Sequence, residues 1–307
     1  MVRPLHIGVQ LPEVERRVPW PELLSMARTA EAVGLDSIWV GDHLLYELPD
    51  GSVRGPWEVW TSLAAFAAAT ERIALGPLVA SLGFHDAAML AKMIATVDGV
   101  SGGRLIVGVG AGWNEREYRA FGLPFDRRVD RFDEAFQVLR RLLAGETVTH
   151  AGEFAQYDRC AIDPPPAWPG APPLMVGSIG QRMLGITLPH VWGWNVWWSQ
   201  FGNTPEGFAE VAATVAERAV HAGRDPSTLV ATAAVYVQAP GGLGRNMGDP
   251  ADEGVGPVTG TPAQVAETFA AFADAGAHHL QLVVDPITVA SIEWLGDVLS
   301  VLDDAAN

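Results

Sequence analysis

Along almost its whole length the chain alternates short apolar, β-rich runs with longer amphipathic stretches. That alternation is the mark of repeated βα units wrapped around a parallel sheet. The strand candidates are Leu5–Leu11, Ser37–Val40, Ile73–Ala80, Leu105–Val109, Leu174–Val176, Gly193–Trp197, Val230–Val237 and His279–Val284. Helical patterns fill the intervals at Pro19–Val33, Pro56–Thr70, Ala87–Val100, Arg127–Ala144, Gln181–Leu188, Pro205–Ala222, Pro262–Ala275 and Val289–Leu302. Eight of each predict a closed α/β (β/α)8 TIM barrel forming a single domain over residues 1–307. Helix punctuation agrees. Gly34 and Gly276 follow helix ends, and Thr204–Pro205 and Thr261–Pro262 each supply an N-cap followed by a proline at the first helical position.

Two intervals exceed simple connections. Residues 146–173, after strand four, alternate around Gly152 and then turn proline-rich, predicting a hairpin and a covering loop. Residues 239–260, after strand seven, are glycine-rich and aperiodic. Loops of this length in a barrel serve as lids or inserts.

Composition narrows the function. With 49% hydrophobic and 18% charged residues, the chain has ample core material and disorder is excluded. A net charge of −16 would repel nucleic acid phosphates and anionic lipid, and no run of five basic residues offsets it, so the expected partner is a small molecule. The N-terminal apolar run is too short for a signal core, and no unbroken eighteen-residue apolar stretch follows, which predicts a cytoplasmic protein. Cys160, the single cysteine, reads as incidental. No His or Cys spacing predicts a metal site.

In parallel barrels the reactive groups gather where strands end and helices begin. Strand two runs into Gly41-Asp42-His43, a carboxylate and an imidazole suited to proton transfer; a buried His–Asp strand cap is the structural alternative. Strand four runs into Gly108-Val109-Gly110-Ala111-Gly112-Trp113, where small residues admit a ligand close to the backbone. The third glycine and the acidic residue of a dinucleotide fingerprint are missing there. Strand five ends in Gly177-Ser178-Ile179-Gly180 just before a helix, a place suited to a phosphate, with Arg182 as a further source of charge. Of the eleven tryptophans, Trp39, Trp192, Trp194 and Trp197 read as packing, while Trp113 and Trp198 read as pocket walls. His6, His278 and His279 begin strands and so fall on the opposite, stabilising face.

The segments Ile38–Leu44, Ala67–Gly76, Leu90–Met93 and Ser101–Trp113 together resemble the luciferase-like monooxygenase superfamily, and the resemblance covers nearly the whole chain. Gly76–Ser81 and Trp113–Tyr118 resemble its actinobacterial branch that uses the deazaflavin coenzyme F420. The resemblance implies an oxidoreductase holding the deazaflavin ring at the barrel mouth, backed by a strand-three bulge with a non-proline cis peptide at Pro77–Leu78. It implies His43 as the catalytic residue near the reactive carbon, Asp42 at the ring edge, and Gly110, Ala111 and Gly112 along the ribityl chain. It further implies Arg116 as a cofactor contact and Gly177, Ser178, Ile179 and Gly180 as the phosphate turn. Sugar-phosphate dehydrogenases of the family carry an acidic residue where this chain has Trp113, so an apolar substrate pocket of Phe84, Trp113, Trp198 and Phe201 is expected. The resemblance also implies a homodimer. An FMN-dependent monooxygenase served by a separate flavin reductase, and a barrel that binds a flavin without turnover, are the alternatives.

Overall fold

The computed structural model describes residues 5–48, 50–245 and 254–305. Eight parallel strands make the wall of a barrel: β1 (His6–Gln10), β2 (Ser37–Val40), β3 in two segments (Ala74–Pro77 and Ala80–Ser81), β4 (Val107–Gly110), β5 (Leu174–Val176), β6 (Gly193–Val196), β7 (Val230–Gln238) and β8 (His279–Asp285). β1 pairs with both β2 and β8, and the others pair in sequence order. The ring closes through β3. Its first segment follows β2, with Pro77 opposite Val40, and its second follows β4, with Ser81 opposite Gly110. The expected (β/α)8 fold is the one observed.

Every residue of β2, β4, β5 and β6 is buried, as parallel strands clad by helices require. Trp39 is fully buried, its indole N–H donated to Ser37 Oγ at 2.7 Å. Inside the barrel the buried Asn195 amide donates to Thr232 Oγ1 at 2.9 Å and to Gln281 Oε1 at 2.8 Å, tying β6, β7 and β8 together.

The helices are α1 (Trp20–Ala32), α2 (Val59–Ala69), α3 (Ala87–Ser101), α4 (Glu115–Phe121), α5 (Arg128–Leu143), α6 (Gln181–Thr187), α7 (Pro205–His221), α8 (Pro262–Asp274) and α9 (Val289–Ala305). α5 shows why the period works: Phe132, Phe136, Leu139 and Leu143 share its buried stripe. Thr204 and Thr261 cap α7 and α8 as expected, Thr261 in a capping box with Gln264. α2 begins later than its expected start at Pro56, because the Glu58 carboxylate accepts the N–H groups of Trp60 and Thr61 and sets the N-terminus there. α4 is an added helix where the pattern shows only a helical turn. Among the described residues no helix is long and apolar enough to cross a membrane.

The first insertion holds the expected hairpin, Val148–Ala151 against Gln156–Cys160. The Glu134 carboxylate on α5 accepts the N–H groups of Glu153, Phe154 and Ala155 at the hairpin turn. The following loop is tied to α3 by Asp98, which accepts the Trp168 N–H at 2.8 Å, and by Lys92 through the Asp163 carbonyl. A second small hairpin, Tyr46–Glu47 against Val53–Arg54, follows β2; its turn signal, Asp50-Gly51, stands in the sequence, but the flanking strands are only two residues long, too short to show a strand pattern. Of the glycine-rich insertion, residues 246–253 lie outside the described residues. Its far end returns alongside β7, with Val258 bridged to Val237.

Candidate active site

A cavity of about 480 Å³ opens where the strands end. β2 delivers Asp42 and His43 to its wall, β4 delivers Gly110, Ala111 and Gly112, and β5 delivers Gly177 and Ser178. Phe84 and Trp113 line it as well, so the strand-end reading brings ten expected residues together, Leu78 included.

The floor is built by the bulge that splits β3. The non-proline cis peptide lies between Leu78 and Val79, one residue beyond the expected Pro77–Leu78 bond. The reason is in the ladder: Pro77 is paired with Val40, and the Leu78 N–H still reaches the Val40 carbonyl at 2.8 Å, so regular pairing persists to residue 78. Val79 then turns onto β4 and β5. A Cβ at Gly110 would come within 2.9 Å of the Val79 side chain, and one at Gly177 within 2.7 Å. Both positions therefore need glycine to seat Val79, and the resulting bed is part of the cavity lining. Pro77 stays in the strand wall.

Asp42 is buried, and its Oδ2 accepts the Ser81 N–H at 2.9 Å and lies 2.9 Å from His85 Nε2. It ties the end of β2 to the far side of the bulge. His43 turns the other way. Its Nδ1 lies 3.0 and 3.1 Å from the two oxygens of Glu117 on α4, and its ring packs against Tyr46 and Trp113 at centroid distances of 4.7 and 5.8 Å. Glu117 is 1% exposed and accepts the N–H groups of Leu44 and Leu45 at 2.7 and 3.2 Å.

A third carboxylate, Glu13, comes from the segment after β1. A Cβ on residue 41 would overlap it, so Gly41 is what admits Glu13 beside His43. Gln10 Nε2 donates to Glu13 at 2.5 Å, and Arg245 stands 3.7 Å away with its guanidinium over the Trp197 ring. Burial pushes the Glu13 carboxyl above its usual range, only partly offset by His43 and Arg245. Burial works against a charged His43, but the Glu117 hydrogen bond and the negative charge of Glu13, Glu117 and Asp42 outweigh it and raise the imidazole above its ordinary value. Burial, reinforced by Glu13, holds the Tyr46 phenol well above its ordinary range.

Several expected contacts fall elsewhere. Trp198 and Phe201 are buried in the core, Trp198 against Tyr236 at 5.0 Å and Phe201 against Phe208 and Phe272 at 6.0 Å each. β6 ends at Val196, and the short 3₁₀ turn of residues 198–201 swings both rings inward, leaving Trp197 on the cavity. Arg116 lies at the surface, paired with Glu47 at 2.9 Å. Ile179 packs against the core and Gly180 is the exposed N-cap of α6, and neither lines the cavity. Arg182 is bound to Asp130, whereas Arg128 lines the cavity with Ser178, and Arg245 lines it as well.

Sequence reasoning missed Glu13, Tyr46, Val79, Glu117, Arg128 and Arg245. For Glu117 the signal was present: Asn114 starts a helix immediately after the glycine turn, and Glu117 sits in its first turn. Among the described residues no group of three or more His, Cys, Asp or Glu is placed to hold a metal ion.

A parallel barrel with a carboxylate-flanked histidine in a deep cavity at its C-terminal face has the layout of a barrel enzyme. The chain belongs to the luciferase-like monooxygenase family, whose model matches residues 5–240. An uncharacterized protein of Mycobacterium tuberculosis is 35% identical over 190 residues, covering 57% of this chain and 66% of its own length. Pyrimidine monooxygenase RutA of Escherichia coli is 34% identical over 179 residues, covering 56% of this chain and 48% of its own. The chain thus spans less than two thirds of the length of either relative. In fold it is similar to an F420-dependent secondary alcohol dehydrogenase solved with an F420–acetone adduct, with a TM-score of 0.80 at 21% identity over 97% of this chain and 99% of that one. It is also similar to riboflavin lyase RcaE, solved with modified FMN and riboflavin, with a TM-score of 0.81 at 18% identity over 98% and 92% of the two chains.

Proposed function

We propose that this chain is a two-electron oxidoreductase passing hydride between coenzyme F420 and a rather apolar small molecule, with His43 handling the accompanying proton. One observation carries the reading: His43 is an imidazole fixed by a buried carboxylate on the wall of a cavity of about 480 Å³, within the usual range for ligand pockets.

The residues present fit a flat, anionic-tailed cofactor. Val79 on its glycine bed and the His43–Tyr46–Trp113 wall offer surfaces to a ring, and Leu78 and residues 110–112 offer close backbone approach. Ser178 and Arg128 would hold the phosphate end, on the turn that Ile179 and Gly180 continue. Asp42 keeps the bulge in place through Ser81. When bound, the deazaflavin supplies a hydride from C5 of its ring. His43 holds or accepts a proton at Nε2, the nitrogen that Glu117 leaves unused. Phe84, Trp113 and Trp197 give the substrate apolar walls and exclude water from the exchange.

The relation to RutA, a monooxygenase by name, favours a second reading in which FMN replaces F420 and oxygen is inserted with the help of a separate reductase. Deazaflavin lacks the nitrogen chemistry by which reduced flavin activates oxygen, so cofactor identity selects the reaction. Equilibrium titration of the chain with F420 and with FMN is the test. Tighter binding of F420 is expected, and clear preference for FMN overturns the proposal. Tight binding without hydride transfer across a wide substrate panel points to a barrel that only binds. The homodimer belongs to the same proposal and is read by sedimentation equilibrium.

A further inference from the structure

We propose that Glu117 is the positioning residue of His43: its carboxylate takes the Nδ1 proton, fixes the plane of the ring and leaves Nε2 as the atom that exchanges a proton at the cavity. The inference rests on the reading of His43 as the proton-transfer group.

The geometry assigns the tautomer. A carboxylate only accepts, so the ring nitrogen lying 3.0 and 3.1 Å from both Glu117 oxygens carries the hydrogen. Glu117 cannot turn to follow the ring, because its Oε1 is held by the N–H groups of Leu44 and Leu45. Helix α4 grips the same segment twice more, through Asn114 Nδ2 on the Leu45 carbonyl at 3.4 Å and through Arg116 on Glu47. A single short helix therefore fixes residues 43–47 together. Burial of a carboxylate at 1% exposure is tolerated where three donors meet it, and here those donors are the histidine ring and the two backbone amides that follow it.

The other charged groups around the ring have different engagements. Asp42, from the ring's own strand end, is committed to the Ser81 N–H and His85. Glu13, from the segment after β1, is hydrogen-bonded by Gln10 and faces Arg245, which also reaches Glu15 at 3.1 Å. Tyr46 and Trp113 meet the ring with aromatic faces and edges. Of the three carboxylates that act on His43, Glu117 supplies the hydrogen bond, whereas Glu13 and Asp42 act through charge alone. Together they keep the ring protonated to higher pH than a free imidazole.

The test is ¹⁵N NMR of His43 in the ligand-free chain, which reads tautomer and titration independently of any activity. In the wild-type chain above the His43 midpoint, the proton is expected on Nδ1. In Glu117→Gln the amide oxygen still accepts from Leu44 and Leu45 but the charge is gone, so the midpoint moves down. Glu117→Asp keeps the charge and retains part of the upward shift. A neutral wild-type ring protonated at Nε2 overturns the proposal by itself, whether or not the variants fold. A midpoint that Glu117→Gln leaves unchanged in a folded chain also overturns it. With a confirmed substrate, Glu117→Gln lowers kcat about tenfold with little change in KM, and its pH profile follows the NMR midpoint. Failure of the F420 reading shows in the cofactor titration and leaves these NMR outcomes standing.

Discussion

Two histidines sit at opposite ends of the same barrel, and burial works against the charge of each while their neighbours do not act alike. His279, at the start of β8, is fully surrounded, lies 2.7 Å from Ser37 Oγ and has the His6 ring 5.6 Å away. Burial and the nearby His6 push it down to about 3, against a weaker pull from Asp36. His43, at the end of β2 and partly open to the cavity, is also disfavoured in its charged form by burial but faces Glu117, Glu13 and Asp42, and is raised. One end of the barrel disfavours the charged form of its imidazole, the other favours it. Placement on the C-terminal face goes with the second design, as the division between stabilising and reactive faces requires.

The sharpest way to break this contrast is His43→Ala. Removing a general acid or base costs about 10²–10⁴-fold. We expect kcat to fall in that range while F420 affinity changes little. An unchanged rate with a confirmed substrate removes His43 from the mechanism and leaves the two histidines functionally equivalent. Substituting His279 by Gln should leave the rate alone.

Trp198→Ala and Trp113→Ala test the boundary between core and mouth. Trp198 is buried against Tyr236, and truncating such a ring costs about 3–5 kcal/mol of stability. Trp113 is 44% exposed beside His43, so its loss should cost well under half as much and appear instead in substrate KM. Denaturant melts of the two variants decide it. Equal destabilisation would mean that Trp113 is also a core residue.

These two residues also show how far the sequence could be read. The barrel was legible because its strands are short apolar runs spaced by amphipathic helices, a period that survives without tertiary information. Asp42, His43 and the glycine turns were legible because strand ends converge. Trp197 and Trp198 were exchanged because a single residue at a strand end decides which ring enters the core, and the turn that decides it lies in the following four residues. The same one-residue margin displaced the cis peptide from Pro77–Leu78 to Leu78–Val79. Glu13, Glu117 and Arg245 were missed for another reason. They reach the site from the segment after β1, from α4 and from the second insertion, and although the helix start at Asn114 puts Glu117 close to the glycine turn, only the folded chain pairs it with the imidazole at 43.

The pH dependence of stability separates the two ends with opposite signs. His279 is depressed, so the unfolded chain takes up its proton below about 6.5 while the folded chain does not until about 3, and stability falls as pH drops through that window. His43 is raised, so its contribution is fully present below 6.5 and is lost as pH rises through its folded value. The difference in stability between the wild-type chain and His279→Gln should therefore change by about 1.4 kcal/mol per pH unit between roughly pH 6 and pH 4. A flat difference would mean that His279 takes up its proton in the folded chain as readily as in the unfolded one.

The smallest effect is expected at Arg116, and it bears on which cation serves the site. Arg116 pairs with Glu47 at the surface, both side chains close to half exposed, and such pairs contribute less than about 1 kcal/mol. Arg116→Ala should leave both the melting curve and the F420 titration nearly unchanged. Arg128 lines the cavity with Gly177 and Ser178, where a phosphate end would be held, so Arg128→Ala should weaken F420 binding and do so less at high salt, where the charge is already screened. If Arg116→Ala weakens F420 more than Arg128→Ala does, the cofactor's anionic end lies over the small 46–54 hairpin rather than at the end of β5. The mouth would then have to be read with His43 between the cofactor and α4.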